Sequence, residues 1–230
     1  MNPFHNELKK EFQIERMILF SDAIFAIAIT LMVIEIKIPV IEEGATDKLL
    51  LHALGDLVLK FIGFLISFFI IGLYWTVHHR MFSFVENYNN KLLWLNLFFL
   101  LTIVLMPFSS GLYGEYSYNL SLVVPYGFYV FNIVLTGFSN FLLWRYIGNP
   151  KNHIAHESLT QPILSVSIKR SLVTPAVFLV SLLIASLVHI SIWAGFISRY
   201  IPMLIPVIMK RIRKKHLSNM PAIANDDHKE

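Results

Sequence analysis

The sequence predicts an all-α integral membrane protein with six transmembrane helices, and three observations carry that prediction. The chain of 230 residues is 56% hydrophobic, with a mean hydropathy of +0.61. Several of its uncharged runs reach the roughly 20 residues that a helix needs to cross a bilayer. Its Lys and Arg residues fall mostly on one side of the topology that those runs define.

The spans are expected at about 18–38, 57–77, 92–110, 123–144, 172–190 and 193–209. The first follows a polar start, HNELKKEFQIER, and runs through RMILFSDAIFAIAITLMVIEIKIP. It is too long for a cleaved leader and has no small-residue cleavage site, so it is expected to stay in the mature protein. The second ends in Tyr74-Trp75-x-x-His78-His79, the third holds Asn96, and the fourth precedes the longest polar connection, Arg145 to Lys169. That connection is expected to be a loop with a short amphipathic helix. Only a short turn near HISIWAG separates the last two spans, and Pro202 and Pro206 are expected to kink the sixth or leave it partly interfacial.

Six spans put both ends of the chain on one side. That side holds Lys9, Lys10, Arg16, Arg80, Lys91, Arg145, Lys151, Lys169, Arg170, Lys210, Arg211, Arg213, Lys214, Lys215 and Lys229, while the other holds Lys37, Lys48 and Lys60. The excess predicts cytoplasmic termini in a cell membrane. The organisation is then a cytoplasmic segment over 1–17, a membrane domain over 18–209 and a basic cytoplasmic tail over 210–230, disordered from about 218. The cluster Lys210 to Lys215 is expected to lie against anionic lipid rather than nucleic acid. Glu42, Glu43, Asp47, Asp56 and Glu115 give the opposite side a mildly acidic cast, as a cation entrance or as ordinary solvated charge. With no Cys, thiolate metal sites, thiol nucleophiles and disulfides are excluded.

Few residues suit other chemistry. Gly111-Leu112-Tyr113-Gly114 resembles a TVGYG carbonyl filter, but no pore helix precedes it and a turn is expected there. His153, His156 and Glu157 have helical metal-ligand spacing without a third strong partner, so a solvated loop is expected and no metal or cofactor is assigned. Intramembrane proteolysis needs two facing carboxylates, and only Asp22 lies well inside a span. No enzyme class remains.

A carboxylate at that depth is expensive unless it is paired or used. At about 100° per residue, Ile27, Leu31 and Ile34 form one aliphatic stripe with Ile24 at the same face and Thr30 at its edge, and Asp22 lies about 140° from Ile27. Such a stripe serves helix packing or lipid contact by default; periodicity alone does not reveal a pore.

Arg16-x-x-x-Phe20-Ser21-Asp22, followed by AIFAIAITLMVIEIKIP, resembles the opening signature of the transmembrane-protein-175 family, potassium channels of prokaryotes and of animal endosomes and lysosomes. The six-span unit occurs once here, so the resemblance implies the prokaryotic single-repeat type: a homotetramer whose four first helices line a pathway for potassium and other monovalent cations, with no carbonyl filter. It implies a constriction at Ile27, further aliphatic rings at Leu31 and Ile34, and a hydroxyl layer at Thr30, forming a hydrophobic gate that closes by dewetting. It also implies a helix-holding polar network of Arg16, Phe20, Ser21, Asp22, Trp75, His78 and Asn96. The alternative is a proton-coupled transporter or proton pathway in which Asp22 and His78 exchange a proton.

Overall fold

The computed structural model describes residues 3–40, 46–116, 118–119, 121–189, 193 and 197–218. Its helices are α1 (Pro3–Ile34), α2 (Asp47–Asp56), α3 (Val58–Phe82), α4 (Asn90–Val104), α5 (Met106–Glu115), α6 (Val124–Ile147), α7 (Gln161–Ser171), α8 (Val173–Ala185) and α9 (Ile205–Ser218), with short 3-10 turns at Pro150–Asn152, Ser186–His189 and Ile201–Leu204. Among the described residues there is no strand, only an isolated bridge between Val85 and Ala155.

Five stretches are long and apolar enough to cross a membrane: Lys10–Ile34, Val58–Phe82, Asn90–Glu115, Val124–Ile147 and Gln161–Ala185. The third and fifth are each built from two helices. Pro107 follows the break at Leu105, and Pro175 follows the break at Leu172. In each case the ring has no N–H to offer and crowds the carbonyl four residues back, which interrupts the helix just before it. The expected sixth span lies partly outside the described residues. Its described part is the 3-10 turn at Ile201–Leu204, followed by α9 with Pro206 in its first turn.

Two other expectations are corrected. The Gly111–Gly114 segment is not a turn but part of α5; helical backbone satisfies its own polar groups at membrane depth, whereas a turn there would not. The acidic connection after the first span contains a helix, α2, which buries none of its residues. The Arg145–Lys169 connection is a loop with a short helix, as expected; that helix, α7, continues across Leu172 towards α8. In addition, α1 is already helical from Pro3, α9 carries the helix through the basic cluster to Ser218, and the tail beyond it lies outside the described residues.

The core is a bundle in which α6 packs on α4, α5 and α8, while α1 packs on α3, α4 and α5. Its side chains include Phe25, Met32, Ile71, Met81, Phe82, Phe99, Ile103, Val130 and Trp144. The α6–α8 crossing is close: a Cβ added to Gly137 would land on the ring of Pro175. Small residues at such crossings let helix backbones approach where lipid supplies no hydrophobic drive.

The two ends of the bundle are chemically distinct. At one, Lys10 Nζ donates to Asn87 Oδ1 at 3.2 Å, which brings the start of α1 beside the α3–α4 loop. That loop is tied to the α6–α7 connection by Glu86 N to Ile154 O at 2.9 Å and His156 N to Phe84 O at 2.8 Å, and by Asn87 Nδ2 to His153 O at 3.0 Å. His153 takes a left-handed backbone conformation at φ 50° to make the connection. At the other end Lys60 pairs with Glu115 at 2.9 Å.

Candidate functional site

The first helix has two faces with different fates. Ile14, Met17, Ser21, Phe25, Ala28 and Met32 are buried, following the 3–4 spacing of one helical face. On the opposite face Ile27 is 57% exposed, Leu31 43% and Ile34 68%, with Ala23, Ala26 and Thr30 exposed among them. Thr30 Oγ1 donates back to the carbonyls of Ala26 at 3.0 Å and Ile27 at 2.9 Å. Its hydroxyl is thus satisfied within the helix and its methyl is free to face outward.

The buried face is held by polar contacts that begin at Ser21. Its Oγ donates to Met17 O at 2.7 Å and accepts from Asn96 Nδ2 at 3.0 Å. Asn96 Oδ1 then meets His78 Nε2 at 2.9 Å. With the Asn96 amide nitrogen turned to Ser21, its oxygen can only accept, so Nε2 carries the histidine proton. Ser21, His78 and Asn96 are all completely buried. The imidazole is stacked on Phe82 at 4.2 Å and on Phe99 at 5.6 Å, with Phe25 tilted against it at 5.6 Å. Its Nδ1 has no partner among the described residues.

Asp22 sits at the edge of this face, half-buried. Its Oδ1 accepts from Trp75 Nε1 at 2.9 Å, so α1 is joined to α3 by Asp22–Trp75 and to α4 by Ser21–Asn96. The structure brings together Ser21, Asp22, Trp75, His78 and Asn96. It places Arg16 and Phe20 elsewhere: both are exposed, both fall within about 20° of Ile27 around the helix, and the Arg16 guanidinium lies 5.8 Å from the Phe12 ring centre.

Sequence reasoning missed a second buried polar cluster. Ser67 Oγ lies 2.7 Å from Ser110 Oγ and 2.6 Å from Tyr129 OH, joining α3, α5 and α6. Asn132 Nδ2 donates to Ser109 Oγ at 3.1 Å. The available signal was the presence of Ser, Asn and Tyr inside apolar spans, where each must find a protein partner. His156 pairs with Glu86 at 3.5 Å, and among the described residues no group of three or more His, Cys, Asp or Glu could hold a metal.

Comparison with known proteins adds lineage to this geometry. Residues 16–107 match the model of the family described as endosomal/lysosomal potassium channel TMEM175. The chain is 37% identical over 97 residues to a Streptomyces collinus protein named a potassium channel, a match covering 42% of this chain and 46% of that protein. It is 30% identical over 159 residues to a Danio rerio protein named endosomal/lysosomal proton channel TMEM175, covering 66% of this chain and 30% of that one. The chain thus spans about half the length of the Streptomyces relative or less of the animal one. Among solved structures it resembles the crystal structure of a lysosomal potassium-selective channel TMEM175 homolog from Chamaesiphon minutus, with a TM-score of 0.68 and 25% identity over 89% of this chain and 98% of that one.

Proposed function

We propose, from the match of residues 16–107 to the TMEM175 family model and from the five apolar spans, that the chain is a TMEM175-family membrane protein and the subunit of a potassium-permeable cation channel. The names of its bacterial relatives support this reading. The observation that carries it is the bare stripe of α1: Ile27, Leu31 and Ile34 stand exposed, opposite a face fixed by Ser21, Asn96 and Phe25. One α1 cannot enclose a path, so the functional unit is a homotetramer, each subunit contributing its stripe to a central axis.

In this assembly Ile27 forms the narrowest ring, with Leu31 and Ile34 beyond it and Thr30 between. A cation cannot cheaply shed its water where methyl groups replace oxygen ligands, so the rings close the pathway by dewetting and open when the helices separate. No carbonyl filter is required, and Gly111–Gly114 belongs to a helix rather than to a pore loop. The basic end of the bundle faces the cytoplasm of a cell membrane, with both termini on that side, and the cluster on α9 rests against anionic lipid.

A proton pathway through Asp22 and His78 is the second reading, supported by the name of the Danio rerio relative. The hydrogen bonds oppose it: Asp22 is engaged by Trp75 and His78 Nε2 by Asn96, with no direct bond between the two among the described residues. Flux from reconstituted vesicles under a potassium gradient, with and without a proton ionophore, separates the readings. Flux that follows the potassium Nernst potential and ignores a pH gradient is expected. Obligatory coupling to protons would overturn the channel.

A further inference from the structure

Phe20 stands on the bare side of α1, apart from the polar contacts that its sequence motif suggested. Its side chain is 52% exposed. Seven residues before Ile27, it falls about 20° from that residue around the helix and about 10 Å nearer the N-terminus. Ser21 and Asp22 beside it turn the other way, to Asn96 and Trp75. Ala23, one turn towards Ile27, is also exposed and has no bulk to cover the ring. Arg16 precedes Phe20 by four residues, a spacing at which two side chains on one helix are neighbours. Its guanidinium leans away instead, to 5.8 Å from the centre of the Phe12 ring. Among the described residues no other aromatic ring and no cation packs on Phe20, so the face of its ring is left open.

We infer, resting on the channel reading, that Phe20 lines the cytoplasmic approach to the Ile27 constriction and that its ring attracts the permeant cation there. The face of an aromatic ring is negative and draws a cation, whereas it repels an anion. The rest of the stripe offers the ion little of that kind. Ile27, Leu31 and Ile34 present methyl groups, and the Thr30 hydroxyl is turned back to the carbonyls of its own helix. Asp22, two residues on, lies about 160° around the helix from Phe20 and is bonded to the Trp75 indole. Arg16 lies on the same line one turn nearer the cytoplasm, and its charge repels a cation at that mouth. Phe20 is therefore a specificity-determining residue: it favours cations over anions on the side where Arg16 does the reverse, and it gathers them before a ring that gives them no oxygen. A leucine fills similar space without the quadrupole.

The experiment places single thiols in the full chain, which has no Cys of its own, and records potassium current in excised patches while a trimethylammonium methanethiosulfonate reagent is applied to one face. Phe20→Cys is expected to lose current to reagent on the cytoplasmic face roughly tenfold faster than to reagent on the outer face, because the dewetted Ile27 ring stands between. Phe69→Cys, exposed on the outward face of α3, is expected not to react. Reaction of Ile27→Cys with none at Phe20→Cys from either face overturns the inference and leaves the channel standing. Equal rates from the two faces mean that no gate separates Phe20 from the outer solution, and overturn it as well. Absence of potassium current from the unmodified protein overturns the channel reading itself. Phe20→Leu and Phe20→Trp test the attraction, and they decide the matter if the thiol variant fails to assemble. Phe20→Leu is expected to raise the potassium concentration for half-maximal current about two- to fivefold, and Phe20→Trp not to raise it. An unchanged value in Phe20→Leu overturns the ring as the source of the attraction.

Discussion

Placing the same amide at two positions of α1 discriminates a pore stripe from a packing face. Ile27 and Ile29 lie about 200° apart around the helix. Ile27 is 57% exposed, whereas Ile29 is half-buried and packed against the core cluster. In Ile29→Asn the amide NH₂ and carbonyl enter an apolar contact with nothing to bond, at about 1–3 kcal/mol for each group, or about 2–6 kcal/mol in all. That is a large share of the 5–15 kcal/mol by which a typical folded domain is stable. In Ile27→Asn the amide faces the proposed water path and keeps its partners, so the cost stays within about 0.5 kcal/mol. The assay pairs the yield of assembled protein on size exclusion with cation flux per assembled unit in vesicles. Ile27→Asn is expected to assemble normally, leak more and discriminate less between potassium and sodium, because oxygen ligands now wet the constriction; Ile29→Asn is expected to lose yield and leave flux per assembled channel unchanged. Equal effects at the two positions refute the assignment. So does collapse of Ile27→Asn alone, since an amide turned to lipid costs several kcal/mol and would mark that face as lipid-exposed.

Asn96→Leu keeps the volume but strands the His78 Nε2 proton, while Ser21 still bonds Met17 O; a loss of about 1–3 kcal/mol is expected, read as a lowered thermal midpoint in detergent, and an unchanged midpoint means the contact does not hold the helices. Asp22→Ala leaves the Trp75 indole N–H without its acceptor and is expected to reduce folded yield more than conduction per assembled unit; a well-assembled variant that has lost only its pH dependence would support the proton reading instead. Ile27→Cys introduces the only thiol into a chain with no Cys and is expected to cross-link between subunits near the axis. Lipid-facing controls such as Phe69→Cys that cross-link while Ile27→Cys does not would place α1 elsewhere.

The helical class and the first five spans were legible because a run of about 20 apolar residues has few other stable homes. The break at Leu105 was hidden inside a hydrophobic run, because hydropathy windows average over Pro107; the helix before Leu172 was missed as part of the fifth span because Lys169 and Arg170 end the apolar run there. Gly111–Gly114 was misread because glycine favours turns in water, where exposed carbonyls find solvent; in lipid the helix prevails. On α1 the separation of Asp22 from Ile27 followed from helical phase, whereas the exposure of Ile27 did not, since periodicity alone allowed the stripe to pack against another helix. The partner of Asp22 did not, because its choice among Trp75, Asn96 and a histidine depends on how α3 and α4 are rotated against α1. Arg16 and Phe20 show the same limit: their place in a sequence motif suggested one cluster, while their helical phase sets them on the stripe with Ile27.

Exposure of apolar side chains does not by itself identify a pathway in a membrane protein, since lipid covers them as well as protein does. The composition of the exposed faces is more informative. The outward face of α3 presents Phe61, Leu65, Phe68 and Phe69, large side chains that fill the irregular surface of acyl chains and hold a neighbouring backbone at a distance. Between Phe20 and Ile34, which are also exposed on this side, the bare face of α1 presents Ala23, Ala26, Ile27, Thr30 and Leu31. Alanine and threonine lower that surface, which lets copies of α1 approach closely around an axis, and the isoleucine and leucine between them project as the rings that would narrow it. The same small residues on a lipid-facing helix would forfeit dispersion contact without return. Ser21, Asp22 and Asn96 matter to that arrangement because they fix the rotation of α1: turning the helix by one residue, about 100°, would carry Ile27 into the core and bring Asp22 away from the Trp75 indole. The polar contacts on one side of α1 thereby set which residues stand on the other.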